Sequence, residues 1–215
     1  MEEYIQIQNR LRDKICIHPL DREIKTVAGV DLAYWGDNNA VCCIVVLDYN
    51  THEVLEKEWY AGKVDFPYIS GLLAFRELPL ILETIKKLKV EPDLYMFDGN
   101  GILHPRNMGI ATHASFYVNK PTIGVAKSYC FYEPCAEPDK SFGSYVDIEK
   151  DGVVYGRCLR TRTNVKPVFV SVGNYITLQE SCDIVLNFIE SDSRIPLPTR
   201  YADIETHIMR KNLGG

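Results

Sequence analysis

The run Leu94-Tyr95-Met96-Phe97 is wholly apolar or aromatic and ends on a carboxylate, Asp98, with Gly99, Asn100 and Gly101 directly after it. A run of that length, bounded by Asp93 before and turn residues after, reads as a buried strand. Asp98 then stands at the strand's C-terminal end. In open α/β sheets that end is where loops and helix N-termini converge and ligands bind. The bland alternative is a turn aspartate bonding its own backbone, so its meaning depends on the rest of the chain.

Upstream, "TVAGVDLAYW", "AVCCIVVLDY" and "EVLEKEWYA" read as three meandering strands, the last two joined through Asn50, Thr51 and His52. From Pro79, whose fixed φ suits a first helical turn, Ile81, Leu82, Ile85 and Leu88 form an amphipathic stripe. After the Asp98 strand come a helix through "RNMGIATHASFYV" and the strand "PTIGVA", an order that predicts a parallel crossover. "SYCFYEPCAEPDKSFGSY" reads as an excursion loop, and "VVYGRCLRT" and "KPVFVSVG" as two further strands. The last long helix is expected to begin at "TLQE", where Thr177 and Glu180 have capping-box spacing. Three antiparallel strands followed by parallel crossovers make an α/β fold, a ribonuclease-H-like mixed sheet with helices on both faces.

The 215 residues, 46% hydrophobic, suffice for one domain spanning 1–215. Neither a signal peptide nor an apolar stretch of membrane-spanning length is visible, so a cytoplasmic protein with no membrane partner is expected. Seven cysteines without a C-x-x-C pair indicate reduced core thiols rather than a disulfide framework or a zinc site. The net charge of −5 argues against indiscriminate coating of nucleic acid but allows a local basic groove. Arg157, Arg160, Arg162 and Lys166 could line such a groove or simply a solvated strand face.

Asp31 lies inside the first strand between Val30 and Leu32, where a charge needs compensation. If that strand neighbours the Asp98 strand, both carboxylates reach one spot and can share a hard divalent cation, with Glu77 as a third oxygen ligand. Glu77 alone would also pass for a cap near a helix start. Such a centre suits metal-assisted phosphodiester hydrolysis, and Lys127, after "PTIGVA", could neutralise a phosphate.

"GVDLAY", "FPYISGLLAFRE", "FDGNGILHPRNMGIATH" and "PTIGVAKS", in that order and spanning about Gln6 to Asp203, resemble the endonuclease V family, metal-dependent nucleases that recognise deaminated adenine in nucleic acid. The resemblance implies Asp31, Glu77 and Asp98 as ligands of Mg²⁺ (magnesium), with Mn²⁺ as substitute. It implies His104 and Lys127 near the scissile phosphate, and a nick at the second phosphodiester 3′ to inosine. Tyr68 matches a wedge that fills the gap left by a flipped base, though it could be a packed loop aromatic. Gly71, Leu73 and Gly99 match positions lining the base pocket, and Arg76 joins the substrate-binding residues. The implied partner is inosine-containing DNA or RNA, bound by a monomer.

The chain departs from the family pattern in three places. Ser70 replaces the proline that usually ends the wedge motif. Asn174 replaces a histidine, and Gln179 an aspartate five residues further on, both expected beside the metal site. The alternative function is therefore an inosine-nucleic-acid-binding homologue with weak or no cleavage. A phosphate-transferring ATPase of similar fold is disfavoured by the lack of a Gly-x-x-x-x-Gly-Lys-Ser/Thr loop.

Overall fold

The structure is a computed structural model that describes residues 1–129 and 134–214. Its three opening strands, β1 (Thr26–Trp35), β2 (Asn39–Asp48) and β3 (Val54–Lys63), follow a first helix α1 (Glu2–Arg12). The chain continues through α2 (Leu73–Ile85), β4 (Leu94–Asp98), α3 (Ile110–Val118), β5 (Thr122–Ala126), β6 (Tyr145–Lys150), β7 (Val153–Leu159) and β8 (Val168–Asn174), and ends with α4 (Leu178–Asn187) and α5 (Leu197–Asn212).

Among the described residues the eight strands join one sheet in the order β3-β2-β1-β4-β5-β8-β7-β6. β1–β4 and β4–β5 are parallel and the remaining pairs antiparallel, so the mixed sheet and the crossover through α3 are as expected. Alternation along the strands divides the core. Val27, Leu94 and Met96 face a layer holding Val185 of α4, Phe188 just after it, and Leu197 and Ala202 of α5. Ala28, Val30, Tyr95 and Phe97 face Ala74, Leu78 and Ile81 of α2 and Ile110 and Ala114 of α3. The helices cover both faces.

Several boundaries differ from the sequence reading. Helix α2 starts at Leu73, because its buried stripe Ala74, Leu78, Ile81 extends upstream, and Pro79 sits inside it, with no N–H to offer the Phe75 carbonyl. Leu88 falls beyond the helix end. Helix α3 starts at Ile110 rather than Arg106, since residues 101–109 are drawn into a turn by bonds such as Gly109 N–H to the Gly101 carbonyl. The capping box of Thr177 and Glu180 is present, yet α4 is followed by the longer α5. Of the expected excursion loop, residues 130–133 lie outside the described residues, 134–144 carry no regular structure, and Tyr145 opens β6.

Among the described residues the cysteines are free thiols, with Cys42, Cys43, Cys158 and Cys182 buried and Cys16 exposed. Among the described residues, no helix is long and apolar enough to cross a membrane.

Candidate active site

Strand parity places the two predicted carboxylates. Val27 and Gly29 point to the α5 side of β1, and so does Asp31; Leu94 and Met96 point to that side of β4, and so does Asp98. The parallel register pairs Val30 with Phe97, which puts Asp31 and Asp98 next to each other at the strands' ends. Gly29 lets α5 dock there, since a Cβ on it would come within 1.9 Å of the Pro198 carbonyl oxygen. That contact brings a third carboxylate, Asp203 of α5, into range. Among the described residues, oxygens of Asp31, Asp98 and Asp203 lie within 4.8 Å of one another.

Three carboxylates so close are electrostatically frustrated without a cation. Burial, and then the charge of Asp98, push the Asp31 pKa up to about 8. Lys127 supplies partial compensation, with its Nζ 2.8 Å from Asp98 Oδ2; burial opposes the ammonium charge, but this pairing raises its pKa overall. Thr206, one turn beyond Asp203, donates from its hydroxyl to Asp31 Oδ2 at 3.3 Å. A set of carboxylate oxygens alone fits a hard cation of the Mg²⁺ type.

Glu77 approaches from the other face of the sheet, on α2, and stands outside the group of three. Its Oε1 accepts a 2.8 Å hydrogen bond from the Tyr34 hydroxyl. Burial lifts its pKa to about 7; the Tyr34 bond pulls it down and the charge of Asp98 pushes it up, so it still feels the centre. Arg76 stacks over the Tyr34 ring at 4.9 Å and donates to the Phe66 carbonyl, bracing the segment that leads to Tyr68.

Next to the carboxylates is a cavity of about 180 Å³ lined by Tyr68, Ser70, Gly71, Leu73, Gly99 and His104, among others. Asp98 and Gly99 are consecutive, so one strand end serves both the acidic group and the cavity. Tyr68 is 74% exposed at the rim, which removes the packed-aromatic reading. Gly71 has φ +79°, in the left-handed region, and a Cβ there would lie 2.7 Å from Arg106 Nη2. His104 belongs to the cavity wall. Its Nδ1 accepts from the backbone N–H groups of Arg106 (3.2 Å) and Met108 (3.3 Å), which leaves Nε2–H to donate to the Gly71 carbonyl at 3.1 Å. Burial, helped by the charge of Arg106, lowers its pKa to about 4, so the ring is neutral rather than a phosphate-binding cation.

Asn174 and Gln179 do not flank this centre. Strand β8 runs antiparallel to β5, so Asn174 pairs with Thr122 at the start of β5, whereas Asp98 is in register with Val125. That separates them by roughly 10 Å along the strands. Asn174 is fully buried, accepts from the N–H of Cys16 (2.8 Å) and Tyr175 (3.1 Å), and donates to Ser115 Oγ. Gln179 bonds Arg157 and Asp183. The basic cluster is no open groove either, because Arg160 is buried and spends its guanidinium on loop carbonyls of Pro138, Asp139 and Val165.

The family model for endonuclease V matches residues 9–204. The chain belongs to the endonuclease V family. It is 51% identical to endonuclease V of Bacillus subtilis over 97% of this chain and 91% of that protein. The crystal structure of the Bacillus subtilis endonuclease V superposes with a TM-score of 0.94 at 50% identity, covering 99% of this chain and 92% of that one. Ciona intestinalis endonuclease V, solved in complex with a 24mer DNA containing an inosine followed by a ribo-adenosine, superposes at 0.87 with 29% identity, covering 99% and 98%.

Two residues of the chain escaped the sequence reading. Asp203 sits in "PTRYADIETH", where the only signal was an acid three residues before a threonine on a helix with no clear apolar stripe. Gln8, the buried residue of α1, had no signal at all.

Proposed function

We propose that this member of the endonuclease V family takes an inosine base into the cavity beside Gly71 and Gly99 and hydrolyses the second phosphodiester on its 3′ side, using a divalent cation. The observation that carries this reading is the junction at Asp98 and Gly99, where a three-carboxylate group adjoins a cavity suited to one heterocyclic base. Asp31, Asp98 and Asp203 would hold the cation, with Glu77 within electrostatic reach. A hard dication such as Mg²⁺, or Mn²⁺ in its place, supplies charge neutralisation to the attacking and leaving oxygens.

The remaining work falls to the chain itself. Lys127, already beside Asp98, offers an ammonium to a phosphate oxygen. Tyr68, exposed at the cavity rim, can stack into the space a displaced base leaves. Neutral His104 keeps the wall closed through its bond to Gly71 rather than carrying a proton. The Ciona relative's complex with inosine-containing DNA supports DNA as a partner.

A non-cleaving binder is the weaker reading, because Asn174 is built into the fold away from the carboxylates. The test is a nicking assay on paired inosine and adenine oligonucleotides, with Mg²⁺ or with EDTA, the product ends being mapped. Cleavage of the inosine strand alone, one nucleotide beyond the base's own 3′ neighbour linkage and only with the cation, is expected. Equal cutting of both strands, or cutting in EDTA, contradicts it.

A further inference from the structure

Helix α1 contributes one buried residue, and it is a glutamine. Gln8 is fully buried, where an unpaired amide would be costly, and each of its described hydrogen bonds goes to a wall of the cavity. Its Nε2 donates to the Gly71 carbonyl at 3.0 Å and lies 3.4 Å from the Met108 carbonyl, while its Oε1 accepts from Arg106 Nε at 2.5 Å. Gly71 is on one wall, Arg106 and Met108 on the segment that forms the other. The Gly71 carbonyl also accepts from Arg106 Nη2 (2.7 Å) and from His104 Nε2 (3.1 Å), so three donors from two separate parts of the chain converge on it.

The same helix grips the approach to this wall. Tyr4, one turn before Gln8, packs edge-on against Phe66 at 5.0 Å and Phe75 at 4.8 Å, on either side of the 68–72 segment. An apolar side chain would fill the volume of Gln8 but could not bridge the walls. Directional bonds that meet on a left-handed glycine fix where that segment's backbone groups point, and such groups read a base edge.

We infer that Gln8 is a positioning residue for base discrimination, setting the spacing of the two cavity walls from outside the stretch that the family model matches. The inference rests on the reading of the cavity as the inosine pocket. It places a determinant of selectivity in the N-terminal helix, remote from the carboxylates.

The experiment compares equilibrium binding of inosine and adenine single-stranded oligonucleotides in EDTA by wild type, Gln8→Leu and Gln8→Glu. Gln8→Leu keeps the volume and loses all three bonds; Gln8→Glu keeps the acceptor for Arg106 and loses the donors. Both are expected to cut the inosine-over-adenine preference about tenfold, the scale of one lost buried hydrogen bond. Affinity for the adenine strand should stay unchanged, a split that mere loss of packing would not produce. In the wild type, amide hydrogen exchange over residues 2–12 should slow on binding the inosine strand and not the adenine strand. A wild type without inosine preference overturns the pocket reading and this inference with it. A wild-type preference retained in both variants, or equal weakening on both strands, overturns this inference alone. So does unchanged exchange in α1, which needs no variant to fold.

Discussion

Asn174 Nδ2 donates to Ser115 Oγ at 3.1 Å, tying the end of β8 to α3 beneath the sheet rather than facing the carboxylates. With its Oδ1 also holding the N–H of Cys16, this side chain joins three segments. Asn174→Ala should therefore destabilise the protein by about 1–3 kcal/mol, the usual cost of leaving buried partners unpaired. Asn174→His should not raise the nicking rate. Urea unfolding and single-turnover nicking of the same variants check both statements; a faster Asn174→His enzyme of unchanged stability would sink them.

Thr206 reaches Asp31 Oδ2 from α5 while also donating to the Asp203 carbonyl, so its single proton is shared between them. Thr206→Val keeps the shape and removes the hydroxyl. Cation affinity should fall by about 10-fold, as is usual when a group that orients a ligand is lost. Calorimetric titration with Mg²⁺ or Mn²⁺ measures it, and an unchanged affinity would remove Thr206 from the centre's support.

Tyr68 is 74% exposed, so Tyr68→Ala should leave stability within about 0.5 kcal/mol. If the ring stacks into a gap, the variant should lose about 1–3 kcal/mol of binding to inosine-containing duplex and clearly less on a single strand. Equal losses on both would assign Tyr68 a general contact role.

Burial holds the pKa values of His104 and His113 down to about 4. In an unfolded chain both would titrate near 6.5. Above about 6.5 neither histidine is protonated in either state, so their full contribution is present. As pH falls from there toward 4, the unfolded state protonates imidazoles that the folded state keeps neutral, so the histidine contribution to stability declines across that window. His113, packed against Phe75 and Tyr117, can be replaced by Phe, and the melting temperature of His113→Phe relative to the wild type should rise as pH falls from 6.5 toward 4. The difference between the two profiles is the readout, because Asp31 and Glu77, protonated in the folded state, oppose the histidines across the same window; a His113→Phe profile parallel to that of the wild type between pH 6.5 and 4 would contradict the assignment.

The sequence carried β1 and β4 with their carboxylates because a charge ending or interrupting an apolar run is conspicuous. It did not carry Asp203, because beyond its first residues, Leu197 and Pro198, α5 buries the small and polar Thr199, Ala202 and Thr206 and leaves Ile204 and Ile208 exposed, which inverts the usual stripe. Helix α1 was hidden for the same reason, with Gln8 as its buried residue. Strand β6 buries only Ile148 and so lacked an apolar run. The error over Asn174 has another source. An apolar run does not state its direction in the sheet, and β8 runs against β5. Pro79 misled because a proline favours a first helical turn without being confined to one.

The most direct test of the central claim is Mn²⁺ binding followed by electron paramagnetic resonance in the wild type, Asp98→Asn and Asp203→Asn. If oxygens of Asp31, Asp98 and Asp203 form the cation site, the wild type binds Mn²⁺, Mg²⁺ competes for it, and either substitution weakens binding by at least about 10-fold without lowering the melting temperature of the cation-free protein. Wild-type affinity retained in Asp203→Asn would contradict the account and return the choice of third ligand to Glu77.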